Sequence, residues 1–140
     1  MALGTQTHLP VIHYLRQNFS VAADGGAAAT ITKTLGILPA GSQIINAISG
    51  LFVATAYNAG TSTTVDIGTS GNHDLYMTLV SAQTKAFTAL DEAATATDVN
   101  AWRTSATADT TITATLVITG TTASAGDVSV VVAYVPPNAS

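Results

Sequence analysis

The chain of 140 residues has no cysteine and few charged side chains. Without cysteine it can form neither a disulfide bond nor a thiolate metal site. Charged residues make up 9% of the chain, against about 25% in an average soluble domain. Because surface charge normally opposes association, this deficit favours a protein that covers much of its surface with copies of itself or with a partner.

Positive charge, long apolar runs and aromatic residues are also scarce. The formal net charge of −4 argues against nucleic acid as a partner, because phosphate contacts need basic side chains. No apolar run reaches the roughly 18–20 residues of a membrane-spanning helix, and no basic start precedes an apolar core, so we expect neither a membrane partner nor a signal peptide. Aromatic residues are 6% of the chain, so stacking platforms for sugars or single strands are weakly indicated.

The residue types that carry catalysis show no productive arrangement. A hydrolytic triad needs a nucleophile, a base and an orienting acid. His8 and His13 lie in the N-terminal segment, where no fixed geometry is indicated. His73 directly precedes Asp74, and neighbours in an extended chain point apart. We therefore predict that the protein is not an enzyme and uses no cofactor.

Metal binding is not indicated either. No two histidines have the i, i+4 spacing of a helical zinc site, and no EF-hand loop occurs. Asp66, Asp74 or Asp127 could hold a calcium ion together with loop carbonyls. That alternative stays open, and the prediction is that there is no metal site.

Alternating β-branched residues are abundant. Such alternation predicts half-buried antiparallel strands in Thr64–Ile67 and Ala27–Leu35, where one face is entirely threonine. It also predicts a C-terminal hairpin of Thr110–Thr119 and Asp127–Val135, joined by the small-residue loop Gly120–Gly126.

Four further segments complete the pattern. Tyr14–Ala22 and Gln83–Leu90 are predicted as strands, and Asn72–Leu79 fits either a strand or a helical turn. Ser42–Tyr57 is the longest apolar stretch, and Gly50 within it indicates two strands or one bent strand. A bend of this kind would let the chain pass from one sheet of a sandwich to the other.

These segments predict an all-β fold. About eight short strands with turn signals at intervals of roughly 8–12 residues are typical of an antiparallel β-sandwich, with either jelly-roll or immunoglobulin-like strand order. Residues 1–13 are predicted as an extended N-terminal arm, since they show no helical period and Pro10 favours an extended Leu9. Residues 14–140 are predicted as the single sandwich domain.

The N-terminal arm is too apolar for a freely solvated tail and is expected to pack on its own domain or on a neighbour. The single tryptophan is expected in the core or at an interface, the two places where tryptophan is enriched. The predicted partner-interface residues are Leu9, Pro10, Val11, Ile12, Tyr14, Arg16 and Trp102.

Three segments occur in a distinctive order: GILPAGSQI (Gly36–Ile44), TAYNAGTSTTVDIGTSG (Thr55–Gly71) and TTITATLVITGTTASAGDVSVVVAYV (Thr110–Val135). Together they resemble small virion structural proteins of tailed bacteriophages. In that group a leucine–proline turn, an "aFNaGTS–T–dIGTSG" strand pair and a closing threonine-rich hairpin recur in this order. The similarity extends roughly from Thr30 to Val135, and the arm and the region 91–109 depart from the pattern.

The resemblance implies a head decoration or capsid cement protein, located on the virion capsid surface after assembly in the host bacterial cytoplasm. Its implied partners are the major capsid protein and further copies of itself, as a homotrimer. Two alternatives are open: a neck, tail or fibre-associated virion protein, and a carbohydrate-binding β-sandwich module. The second would lose its glycan affinity on substitution of Trp102 or Tyr57.

Overall fold

The computed structural model describes residues 11–90 and 107–137, which form antiparallel strands almost throughout. One helical turn, α1 (Val21–Asp24), follows the first strand, and a 3-10 turn covers Asn46–Ile48. The strands in chain order are β1 (His13–Ser20), β2 (Ala29–Leu38), β3 (Gln43–Ile44), β4 (Gly50–Thr55), β5 (Ser62–Gly68), β6 (Met77–Ser81), β7 (Phe87–Ala89), β8 (Thr110–Thr119) and β9 (Asp127–Val135).

The strands pair as the two arms of one long hairpin whose turn lies between β5 and β6. β1 pairs with β9, β2 with β8, β4 with β7 and β5 with β6, all antiparallel. The long hairpin is wrapped into two sheets, β1-β9-β4-β7 (sheet A) and β2-β8-β5-β6 (sheet B), and β3 adds to β9 in sheet A. The predicted β-sandwich is confirmed, and this nested pairing is the jelly-roll order rather than the immunoglobulin-like one.

The core lies between the two sheets and follows the predicted alternation. From sheet B, Ile112, Ala114 and Leu116 are fully buried, as expected for the apolar face of β8. From sheet A, Val128, Val130 and Val132 of β9 face them and are equally buried. The threonine face of β2 is exposed, which also matches the sequence pattern.

The predicted C-terminal hairpin is wrong, although the bounds of its two strands are correct. β8 belongs to sheet B and β9 to sheet A, so they do not pair with each other. The loop between them crosses the end of the sandwich, where the Asn58 side chain accepts hydrogen bonds from the N–H groups of Ser124 and Ala125. Gly126 lies against the Tyr57 ring, and a Cβ there would be 2.5 Å from it. Alternation specifies which residues face the core but not which strand is the neighbour.

The stretch Ser42–Tyr57 contains two strands, β3 and β4, so of the two predicted possibilities the two-strand one is confirmed and the single bent strand is wrong. The expected crossing between sheets is wrong, because both strands pair with β9 in sheet A. The 3-10 turn between them interrupts the ladder instead. Gly50, with φ of 151°, begins β4, and a Cβ on it would collide with the Thr88 carbonyl oxygen.

Three predicted boundaries need correction. The first strand begins at His13, inside the predicted arm, and ends at Ser20 because the Ser20 hydroxyl caps α1 by accepting from Ala23 N–H at 3.1 Å. The strand predicted over Gln83–Leu90 is confined to β7. Asn72–Leu79 is a turn followed by the start of β6.

Candidate functional site

Exposed apolar side chains lie around one end of the sandwich, where β1 begins and β2 ends, with Tyr14 on the outer face of sheet A and Ile37 on the outer face of sheet B. We call this surface the arm end. Val11 is 61% exposed, Tyr14 59% and Ile37 57%. The two strands are close there, since the side chain of Leu15 lies against Gly36. Exposed large apolar side chains around one end of a domain offer apolar area that a partner protein can cover.

Two more exposed apolar residues extend the arm end. Ile12 is 42% exposed and continues β1 toward the N terminus. Ile48, also 42% exposed, lies in the 3-10 turn. Ser49, the next residue, accepts a hydrogen bond from Ala133 N–H. Ala133 is also the cross-strand neighbour of Tyr14, so β9 lies between Tyr14 and the 3-10 turn. The exposed residues of the arm end therefore come from both sheets, with Tyr14 in sheet A and Ile37 in sheet B.

The arm end contains the predicted interface residues Val11, Ile12 and Tyr14. Arg16, which was also predicted, lies two residues after Tyr14, on the same outer face of sheet A. Leu9, Pro10 and Trp102 lie outside the described residues. The role of all these residues in binding a partner stays a prediction.

On one side of the sandwich, side chains close both sheet edges. β1 and β2 are the adjacent edge strands there, and Gln17 donates from Nε2 to the Thr34 carbonyl at 3.1 Å while its Oε1 accepts from Asn18 N–H. Lys33 donates to the Asn18 carbonyl at 2.8 Å. Three backbone groups in the middle of this edge, the Thr34 carbonyl and the N–H and carbonyl of Asn18, are therefore already bound.

The opposite edge strands also resist strand addition. β6 is irregular, since its register against β5 shifts between Val65 and Ile67 and Leu79 has φ of 50°. β7 has three residues. Bulges and very short edge strands are ways in which proteins prevent edge-to-edge pairing. The described surface therefore favours docking through side chains over addition of a strand to a sheet edge.

A groove of about 370 Å³ runs along the outer face of sheet A above β9. β1 provides a polar wall, and β4 provides an apolar wall opposite to it. The residues that line the groove are Arg16 and Asn18 on β1, Phe52 and Ala54 on β4, and Asp127, Ser129 and Val131 on β9.

Comparison with family models, with curated proteins and with solved structures gives no match. No helix in the described ranges is long and apolar enough to cross a membrane.

The structure brings together a histidine and an aspartate that the sequence did not suggest as a pair. His73 Nδ1 lies 3.0 Å from Asp66 Oδ2. The Asp66 side chain is 3% exposed and the His73 side chain 65%. The loop folds back over the outer face of sheet B because Gly68 leaves room for the backbone of Asn72 and His73.

The Asp66–His73 pair has a structural explanation. The other Asp66 oxygen accepts a hydrogen bond from Leu79 N–H at 2.6 Å, which holds Leu79 in its positive-φ conformation. Both Asp66 oxygens are thus engaged in holding the β5–β6 connection in its conformation. The sequence signal was weak, because six residues separate Asp66 from His73 and the alternation of β5 does not show where the following turn leads the chain.

The carboxylates considered for calcium are not assembled into one site. One carboxylate oxygen of Asp66 contacts His73 and the other accepts a hydrogen bond from Leu79 N–H. Asp127 lies at the groove on the opposite sheet. Residues 11–90 and 107–137 contain no group of three or more potential His, Cys, Asp or Glu ligands.

Tyr57 does not have the role that the carbohydrate-binding alternative gave it. Its ring is 1% exposed and belongs to the core. Burial, reinforced by the nearby carboxylates of Asp24 and Asp127, raises the pKa of Tyr57 to about 12. A glycan could not stack on this ring without unfolding that end of the sandwich.

Proposed function

We propose that this chain is a non-enzymatic decoration protein of a tailed-bacteriophage head. In this proposal it binds the major capsid protein on the outer capsid surface and ties neighbouring capsid subunits together. The observation that carries the proposal is the arm end, a group of exposed apolar side chains on a domain with very few charges. Its location would be the virion capsid surface, after assembly in the host cytoplasm.

The physical case rests on the cost of leaving the arm end in water. Val11, Tyr14 and Ile37 are each more than half exposed. Covering apolar surface yields roughly 25 cal/mol per Å², so a partner that buries these side chains gains free energy without any charged contact. The sequence resemblance to virion proteins supplies the identity of that partner, and the use of jelly rolls in viral capsids adds support by fold analogy.

A homotrimer would make a modest contact effective. Once one protomer has docked, the other two are held close to their own sites, and their binding occurs at high effective concentration. A trimer also matches the three-fold positions of a capsid lattice. The arm-end residues could then be few and still retain the protein on the particle.

The first test introduces charge into the arm end. Val11→Glu combined with Ile37→Glu places two carboxylates in the proposed contact, where burying them without partners is unfavourable. The assay is sedimentation of the purified protein with heads of the phage whose genome carries the coding sequence. We expect saturable binding by the unmodified chain and a loss of about tenfold or more in affinity for the double variant.

The matched control is Leu79→Glu combined with Phe87→Glu. These two side chains are 63% and 41% exposed and lie on β6 and β7, the edge strands opposite to β1 and β2, which carry Tyr14 and Ile37. The control variant should sediment with heads like the unmodified chain. Equal binding by both double variants would remove the role of the arm end, and failure of the unmodified chain to bind heads would overturn the decoration function.

A further inference from the structure

We infer that the groove on the outer face of sheet A is a binding site for a neutral saccharide of one or two rings. Its walls differ in chemistry, and this difference indicates the class of ligand. The inference stands independently of the decoration function, because the groove extends from Val131 toward Asp127, away from the arm end.

The apolar wall is formed by Phe52. The Phe52 side chain is 48% exposed, although β4 is an interior strand of sheet A, between β9 and β7. The face of an aromatic ring carries partial negative charge, and it therefore attracts the polarised C–H groups on one face of a sugar ring. Ala54, beside it, is small enough to leave that face accessible.

The polar wall and the floor carry a short chain of hydrogen bonds. Arg16 Nη2 donates to Ser129 Oγ at 3.4 Å, and Ser129 Oγ donates to Asn18 Oδ1 at 3.1 Å. These two hydrogen bonds use only one guanidinium nitrogen of Arg16 and the amide oxygen of Asn18, so both side chains keep further donors for a ligand in the groove. Asp127 adds acceptor oxygens at one end of the groove.

The charges of the groove indicate a neutral ligand. Arg16 and Asp127 carry opposite charges and form no ion pair with each other. A phosphate or uronate would meet the Asp127 carboxylate, and a cationic ligand would meet the guanidinium. Hydroxyl groups can both donate and accept, so they satisfy both side chains without a net charge.

The geometry disfavours the other neutral ligands. A fully apolar molecule would strip water from Arg16 and Asn18 without replacing their hydrogen bonds, which is costly. A peptide strand would find the backbone of β9 already paired with β1 and β4. The groove volume of about 370 Å³ lies at the lower end of the range for small-molecule sites, roughly 300–1,000 Å³, which suits one or two rings.

The test is a titration of the ¹⁵N-labelled full chain with cellohexaose, maltohexaose and chitohexaose, followed by amide NMR. At least one probe should shift the amides of Asn18, Phe52 and Ser129 together and saturably. Because the ligand is neutral, the affinity should hardly change when salt is raised, since screening acts on charge pairs. Phe52→Ala and Arg16→Ala should each weaken binding by about tenfold or more.

Phe87→Ala is the matched control, since Phe87 is the cross-strand neighbour of Phe52 but does not line the groove. It should bind the probe like the unmodified chain. Absence of these shifts with every probe, retention of binding by Phe52→Ala, or tighter binding of a charged oligogalacturonate would overturn the inference. Concentration-dependent shifts of the same amides without sugar would overturn it too, because they would assign the face to a second copy.

Discussion

Ser49 restores the part of sheet A that the 3-10 turn interrupts. Its hydroxyl accepts a hydrogen bond from Ala133 N–H at 2.8 Å and donates to the Ile45 carbonyl at 2.7 Å. Ser49 and Ala133 are both fully buried. One side chain thus replaces a missing strand at the point where β3 ends and β4 has not yet begun.

Replacing Ser49 by alanine should destabilise the domain by about 1–3 kcal/mol, because a buried backbone N–H loses its acceptor. Urea unfolding of the variant and the unmodified chain would measure the difference. Ser70→Ala, in an exposed loop, is the control and should be close to neutral. A Ser49→Ala variant as stable as the control would show that the Ala133 N–H finds another acceptor.

At the scale of elements, the helical turn α1 and strand β2 hold the edge strand β1 in place through Lys33. Its ammonium group lies 2.7 Å from Asp24 Oδ1, donates to the Asn18 carbonyl and sits 4.9 Å from the centre of the Phe19 ring. The alternation of β2 predicted Lys33 on the same face as Ile31 and Leu35. In the structure its ammonium group reaches Asp24 and the Asn18 carbonyl at the edge of the sandwich.

Asp24 makes this contact sensitive to pH. Partial burial acts to raise the pKa of Asp24, but the hydrogen bonds from Lys33 and Ser20 N–H and the charge of Lys33 outweigh it, so the pKa lies below its ordinary value of 3.8. A lowered pKa in the folded state means that the unfolded chain binds the proton more readily. The stabilisation is therefore present above the ordinary pKa and is lost as the pH falls through the folded pKa.

Asp24→Asn should consequently cost about 1 kcal/mol at neutral pH and almost nothing at an acidic pH below the folded pKa of Asp24, where neither protein carries the charge. The measurement is urea unfolding of both proteins at the two pH values. The gap between the two stabilities should close only in the acidic range. A gap of constant size across that range would mean that the ion pair contributes nothing and that the substitution acts through packing.

At the scale of the whole molecule, the jelly roll puts both ends of the long hairpin at the arm end. β1 begins there and β9 ends there, with His13 opposite Tyr134. The edges of both sheets are closed, bulged or short, while the arm end and the outer face of sheet A stay accessible. Both proposed contacts therefore use surfaces of a finished fold and require no opening of the sandwich.

The mass of the purified chain in solution, measured by light scattering at several concentrations, tests the assembly part of the decoration function. We expect a stable trimer of about three times the 14.1 kDa chain. A six-fold or larger ring would instead favour the neck or tail alternative. A monomer at all concentrations would contradict a preformed trimer and leave assembly to the particle surface.

The candidate surfaces were only partly accessible to sequence reasoning. The apolar character of Val11, Ile12 and Tyr14 was visible in the sequence, and the structure leaves all three side chains exposed. Phe52 was not distinguished from its neighbours, since Leu51 and Val53 on either side are equally apolar but buried. Nothing in the sequence said that Phe52 would face outward, because that depends on the register of β4 against β9.

Local sequence was enough to predict an all-β fold, the bounds of β8 and β9, the alternating apolar face of β8 and the threonine face of β2. These follow from the two-residue period of a strand, which any short segment carries. The tertiary structure alone decided that β8 and β9 lie in different sheets, that Asp66 meets His73, and that Arg16 and Phe52 flank one groove. Such contacts depend on which distant strands become neighbours, and alternation is the same whichever partner a strand has.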